Sequence, residues 1–126
     1  MDFLQGAAIP MIDTSMLQRV GQFLDLASYR HTLIASNMAN IDTPGYRTRD
    51  INFLQELRRA NGAPEWAEFS PAARHVQGLL ERPDGNNVSL ERESLLMAQT
   101  QLRFRTGIEL LRSEFRRLSL AINEGK

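Results

Sequence analysis

From about Ser15 to Asn40, Leu17, Val20, Leu24, Ala27, His31, Ile34, Met38 and Ile41 follow one another at alternating spacings of three and four. That spacing is the a/d seam of a heptad helix. No proline interrupts it, and Thr14 or Ser15 is available as its N-cap. Phe23, Leu26 and Leu33 fall off the seam, so this helix has more apolar surface than one partner covers. A second pattern runs from about Leu90 to Ile122, with Leu90, Met97, Phe104, Ile108, Leu111, Phe115, Leu118 and Ile122 on the seam and Ser94 and Gln101 as its polar members. One continuous helix of that length spans roughly 50 Å. Ser89 stands at the N-cap position, Glu91 and Glu93 occupy the first turn, and Arg112, Arg116 and Arg117 load the far end, matching the helix dipole. Leu95, Ala98, Leu102, Leu110 and Leu120 lie outside the seam.

The stretch between the two patterns is different in kind, and holds four of the five prolines. Thr43-Pro44-Gly45-Tyr46 reads as a tight turn, because proline presets φ at the first central position and glycine accepts a positive φ at the second. Asn52 followed by Phe53, Leu54, Gln55 and Leu57 predicts a short capped helix ending near Asn61-Gly62. No periodicity is found from Ala63 to Asn87, which predicts loop with minor β-structure. The fold class is therefore mainly α: two long terminal amphipathic helices, 15–41 and 90–122, form a coiled-coil-like hairpin joined by a loop-rich connector, 42–89. A hairpin buries only the facing seams, so the remaining apolar faces predict assembly with other chains.

Composition narrows the function classes. The chain has 126 residues, enough for one domain, and 15 basic against 15 acidic side chains, giving a formal net charge of zero. Phosphate binding normally leaves a basic excess, so nucleic acid is not an expected partner. No apolar run reaches the length of a transmembrane helix. The N-terminus carries neither a basic region nor an apolar stretch long enough for a cleaved secretory signal, so the default address is cytoplasmic, export through an uncleaved N-terminal segment being the exception. The absence of cysteine excludes disulfides, a thiol nucleophile and a cysteine zinc site.

Candidate chemistry is sparse. Phosphate-loop, dinucleotide, metalloprotease and serine-hydrolase motifs are absent, so no catalytic, cofactor-binding or metal-ligating residues and no cofactor are expected. His31 falls on the first seam, where a packed, hydrogen-bonded or interface histidine is the plainest reading, and His75 reads as a solvated loop residue. Asn87-Val88-Ser89 matches a glycosylation acceptor, but Asn86 and Asn87 as turn residues before the Ser89 cap explain it better. Fourteen of the fifteen basic residues are arginine. Genome composition explains this as well as carboxylate pairing across interfaces does, and Arg105, Glu109 and Arg112 fit an intrahelical ladder.

One constellation is more specific. Ser36-Asn37-Met38-Ala39-Asn40-Ile41-Asp42-Thr43-Pro44-Gly45-Tyr46 closes the first helix and resembles the N-terminal signature of the bacterial flagellar rod and hook family of axial proteins. Arg47 to Phe53, the lead-in Asn86 to Glu93 and the short length strengthen the resemblance and point to a proximal rod member. The resemblance spans about Leu17 to Leu57 and Asn86 to Ile122. It implies a non-enzymatic structural subunit of the proximal rod of the flagellar basal body, exported by the flagellar type III apparatus without signal cleavage and assembled through its terminal helices to transmit torque. Residues 1–14 would be a mobile export segment, and the neighbours would be further copies, FlgC and other rod proteins, the rod adaptor FliE and the export gate, in a helical tube. Asn37, Asn40, Thr43, Pro44, Gly45 and Tyr46 would set turn and intersubunit geometry. Leu17, Val20, Leu24, Ile34, Met38, Met97, Phe104, Ile108, Leu111, Phe115, Leu118 and Ile122 would carry helix packing. The alternative is a cytoplasmic coiled-coil adaptor or chaperone-like helical hairpin.

Overall fold

The computed structural model describes residues 14–64 and 66–125, so most of the expected export segment, residues 1–13, lies outside the described residues. The element order is α1 (Thr14–Ala39), β1 (Arg49–Asp50), α2 (Phe53–Gly62), β2 (Arg74–His75) and α3 (Leu90–Glu124). The chain is mainly α, as the pattern predicts. Asn37 meets Glu93 near one end of the pair and Leu24 lies beside Gly107 further along, so α1 and α3 run antiparallel.

Helix ends follow local chemistry. Asn52 caps α2 by accepting from the Gln55 N–H, and Ser89 caps α3 by accepting from the Arg92 N–H. Two expectations are corrected. Thr14 and Ser15 are already helical, so neither stands as the N-cap of α1. α3 continues past Ile122 to Glu124, and its last turn therefore holds no basic residue. The dipole acts over about the last turn, so the arginines upstream miss it. Arg112 and Arg117 instead pair with Glu109 and Glu114 one turn before them.

The core explains the off-seam residues of α1. Leu26, Ala27 and Leu33 are buried with Ile51 and Phe53, and Phe23, Tyr29, Leu57, Phe69, Ala73 and Phe104 pack round them. Phe23 and Phe53 meet edge to face, with ring centroids 5.4 Å apart. The apolar surface of α1 that a simple hairpin leaves open is thus covered largely by the chain's own connector.

That connector has little regular structure but is firmly tied. β1 and β2 pair antiparallel, Arg49 opposite His75 and Asp50 opposite Arg74. The Val76 N–H extends the ladder by donating to the Thr48 carbonyl at 3.0 Å. From α2, buried Glu56 accepts from the Ala72 N–H at 2.9 Å and pairs with Arg59, whose guanidinium lies over the Phe69 ring. No helix among the described residues is long and apolar enough to cross a membrane.

Candidate functional site

The end of α1 and the turn after it form a clasp centred on Asn37, which is 1% exposed. Its Nδ2 donates to the Arg49 carbonyl at 2.9 Å and to Glu93 Oε1 at 3.0 Å. Its Oδ1 accepts from the Tyr46 hydroxyl at 2.9 Å and from the Arg49 N–H at 3.2 Å. All four hydrogen-bonding positions of one amide are filled, joining α1, the turn, β1 and α3. Asn40 acts locally: its Nδ2 donates to the Ser36 carbonyl and its Oδ1 accepts from the Thr43 hydroxyl.

Thr43-Pro44-Gly45-Tyr46 is the turn its composition predicts. The Tyr46 N–H donates to the Thr43 carbonyl at 3.2 Å, and Gly45 has a φ of 75°, the positive value a type II turn requires at its second central residue. The turn is clamped from the far end of the connector, where the Gly45 N–H donates to the Asp84 carbonyl at 2.8 Å. Asn86, wholly buried, donates from Nδ2 to the carbonyls of Asn40 and Thr43, both at 2.9 Å. Asn87 accepts the Thr48 N–H on its Oδ1 at 2.7 Å and donates its own N–H to the Tyr46 carbonyl. Sequence reasoning read Asn86 and Asn87 only as turn residues. The available signal was an asparagine pair directly before a helix cap in a chain whose first helix also ends on asparagines.

A buried charge network lies under the clasp. Arg30 binds both oxygens of Asp50, at 3.0 and 2.9 Å, and Arg92 reaches Asp50 Oδ2 at 2.7 Å and Glu93 Oε1 at 3.0 Å. Burial alone would push the Asp50 carboxyl up, but the hydrogen bond and charge of Arg30, with the Ile51 N–H and Arg92, outweigh it and hold the group below its usual value. For Glu93 burial wins over Arg92 and Asn37, and its carboxyl lies above the usual range. Its second oxygen, Oε2, is buried without a hydrogen-bond partner.

The helix seams are placed unevenly. On α1, Val20 and Ile34 are buried and Leu17, Leu24 and Met38 are half-buried, whereas His31 is exposed. On α3, Met97, Phe104, Leu111 and Leu118 are half-buried, while Ile108, Phe115 and Ile122 are 37%, 55% and 54% exposed. The residues of α3 that are fully buried are Glu93, Thr100 and Gly107, a heptad series that is not apolar. Leu95, Leu102 and Leu120 are exposed, and at 100° per residue they lie on the side opposite Thr100. Pro44, Thr43 and Gly45 are at the surface, whereas Tyr46 is half-buried.

Comparison with known proteins follows the same outline. The chain is 30% identical over 122 residues to the flagellar basal body rod protein FlgB of Salmonella typhimurium, covering 81% of this chain and 88% of that one. It is 38% identical over 114 residues to FlgB of Cereibacter sphaeroides, covering 80% and 88%. FlgB of Escherichia coli is 27% identical over 122 residues, with 81% and 88% covered. No family model matches the chain.

Proposed function

The chain belongs to the FlgB family of flagellar basal body rod proteins, and from that premise we propose that it is a structural subunit of the proximal rod. The observation that carries this reading is the surface of α3, a 35-residue helix on which Leu90, Leu95, Leu102, Ile108, Leu110, Phe115, Leu120 and Ile122 are all exposed. Apolar residues in that number along one element favour burial against other subunits. On this reading α1 and α3 pack side by side with neighbouring copies, with FlgC and with other rod proteins in the wall of a helical tube, and pass torque along it. The clasp around Asn37 and Tyr46 keeps the turn end of each subunit rigid, while exposed Pro44 and Thr43 face the next one.

Residues 1–14 serve as the uncleaved export segment read by the flagellar type III gate, and the chain crosses unfolded, which suits a sequence without cysteine. FliE connects the assembled subunits to the membrane-embedded base. The test is a deletion strain complemented by a tagged full-length chain. Loss of swimming on deletion, its recovery on complementation and co-purification of the tagged chain with basal bodies are the expected results. A chain confined to the soluble cytoplasm, with normal swimming in its absence, would establish the helical adaptor instead.

A further inference from the structure

A groove of about 190 Å³ opens near the start of α1, where that helix meets α2 and the second half of α3. Met16, Val20 and Phe23 line it from α1, Leu57 from α2 and Leu110 from α3. Arg19 and Asn61 are its polar edge. Both are exposed, and Arg19 has no carboxylate partner among the described residues. The groove is smaller than the sites that enclose a whole small molecule. An apolar cavity of about 150 Å³ admits a benzene ring, so the space suits one aromatic side chain.

The chain itself supplies such a side chain at this end of α1. Residues 1–13 lead directly into the helix and hold Phe3, Leu4, Ile9, Met11 and Ile12, with Asp2 and Asp13 as acids and no lysine or arginine. Phe3 is the one aromatic residue among them. Val20 and Phe23 stand about 9 and 14 Å along the helix from Thr14. Phe3 is 11 residues before Thr14, a reach of up to about 36 Å, which leaves slack for the chain to turn back. Gly6 and Pro10 are the residue types that such reversals use. Ile12, two residues from Thr14, reaches only about 7 Å and stops short of Val20. A tethered occupant also acts at an effective concentration of order millimolar, an advantage that a separate partner lacks.

We propose that the groove is the docking site of the chain's own N-terminal segment, with Phe3 seated among Met16, Val20, Phe23, Leu57 and Leu110. Asp2 then lies on the Arg19 side of the groove, where opposite charges meet. The contact needs only the fold, and stands apart from the rod reading. Its consequence is that the free chain keeps its apolar N-terminal residues covered. A partner that takes hold of this segment must first draw Phe3 out.

The test uses the purified full-length chain, whose lack of cysteine makes every introduced thiol unambiguous. Q5C, which leaves Phe3 in place, is paired with N61C at the groove edge or with Q18C, and a short bismaleimide joins the thiols. Gln18 is exposed on α1 and, at 100° per residue, faces away from Met16, Val20 and Phe23. Circular dichroism shows first that each variant keeps its helices; where N61C unfolds the chain, R58C on the exposed side of α2 takes its place. Q5C/N61C is expected to link within the monomer roughly tenfold faster than Q5C/Q18C, the advantage of a held contact over a free tether. Adding F3S is expected to abolish the difference. Equal rates in the folded chain overturn the proposal, and so does a difference that survives F3S. Links formed only between monomers assign the groove to a second copy, and faster linkage of Q5C to I122C than to N61C places the segment on the far end of α3; either result also overturns it. A purified wild-type chain without helix does the same, because the groove exists only where the helices are paired.

Discussion

Asn37 and Gly85 show how much single positions can hold and how differently they announce it. The turn was legible because proline and glycine act through their own backbones: Gly45 takes its positive φ wherever the rest of the chain lies. Asn37 was legible only as part of a motif, since its four partners come from the turn, β1 and α3. Asn86 and Asn87 were not legible as clasp residues, because what they bond is fixed by tertiary approach and not by spacing. Gly85 belongs with them: its φ is 87°, and a Cβ there would stand 3.3 Å from the Cα of Gly45. Gly45 has the same sign of φ but open space where its Cβ would be. Gly45→Ala should therefore cost about 1 kcal/mol from backbone strain alone. Gly85→Ala should cost more, because strain and the close approach of two backbones add. Urea melts of the two variants check the order, and a Gly85→Ala chain no less stable than Gly45→Ala would contradict the clamp.

At the scale of elements, the three helices of the described residues were legible from period and caps, and the phase of the long pair was not. Apolar spacing placed the α3 seam on Leu90, Met97, Phe104, Ile108, Leu111, Phe115, Leu118 and Ile122, of which Met97, Phe104, Leu111 and Leu118 are half-buried, yet the fully buried positions run through Glu93, Thr100 and Gly107. Two physical causes set this phase. Glu93 is drawn inward by Asn37 and Arg92, and Gly107 lets the helices come close: a Cβ there would stand 2.6 Å from Leu24 Cδ2 and 3.2 Å from Phe23 Cδ1. Neither a buried glutamate nor a glycine scores as seam in a hydrophobic pattern. Gly107→Leu should push the helices apart and lower stability by about 1–3 kcal/mol, as overpacking does. Gly21→Ala in α1, where nothing lies within 4 Å of the new Cβ, should instead raise stability by up to about 1 kcal/mol through helix propensity. Thermal melts of the two variants in opposite directions are the expected outcome; equal effects would mean that the glycine does not set the approach.

For the whole molecule, the sequence separates two kinds of apolar surface only in part. Leu26 and Leu33 look as unpartnered as Leu95 and Leu102 when read by spacing. The connector buries the first pair and leaves the second open. No periodicity marks residues 63–87 as a cover for α1, because what holds them there is a buried glutamate, a two-residue ladder and an asparagine pair, all acting through a few long-range hydrogen bonds. The outer leucines of α3 are thus surface that folding of the chain itself does not use, and substituting them should separate folding from assembly. Leu95, Leu102 and Leu120 are 70%, 61% and 57% exposed, so exchange for glutamine, a comparable helix former, should leave the helicity and melting of the purified chain nearly unchanged. The same triple variant should be depleted from basal bodies and should impair swimming, because contact with a neighbour is where those side chains would gain their burial energy. Normal incorporation of the triple variant would show that α3 meets other subunits through its Ile108, Phe115 and Ile122 flank instead, whereas a lower melting point in the isolated chain would show that these leucines already serve its own fold.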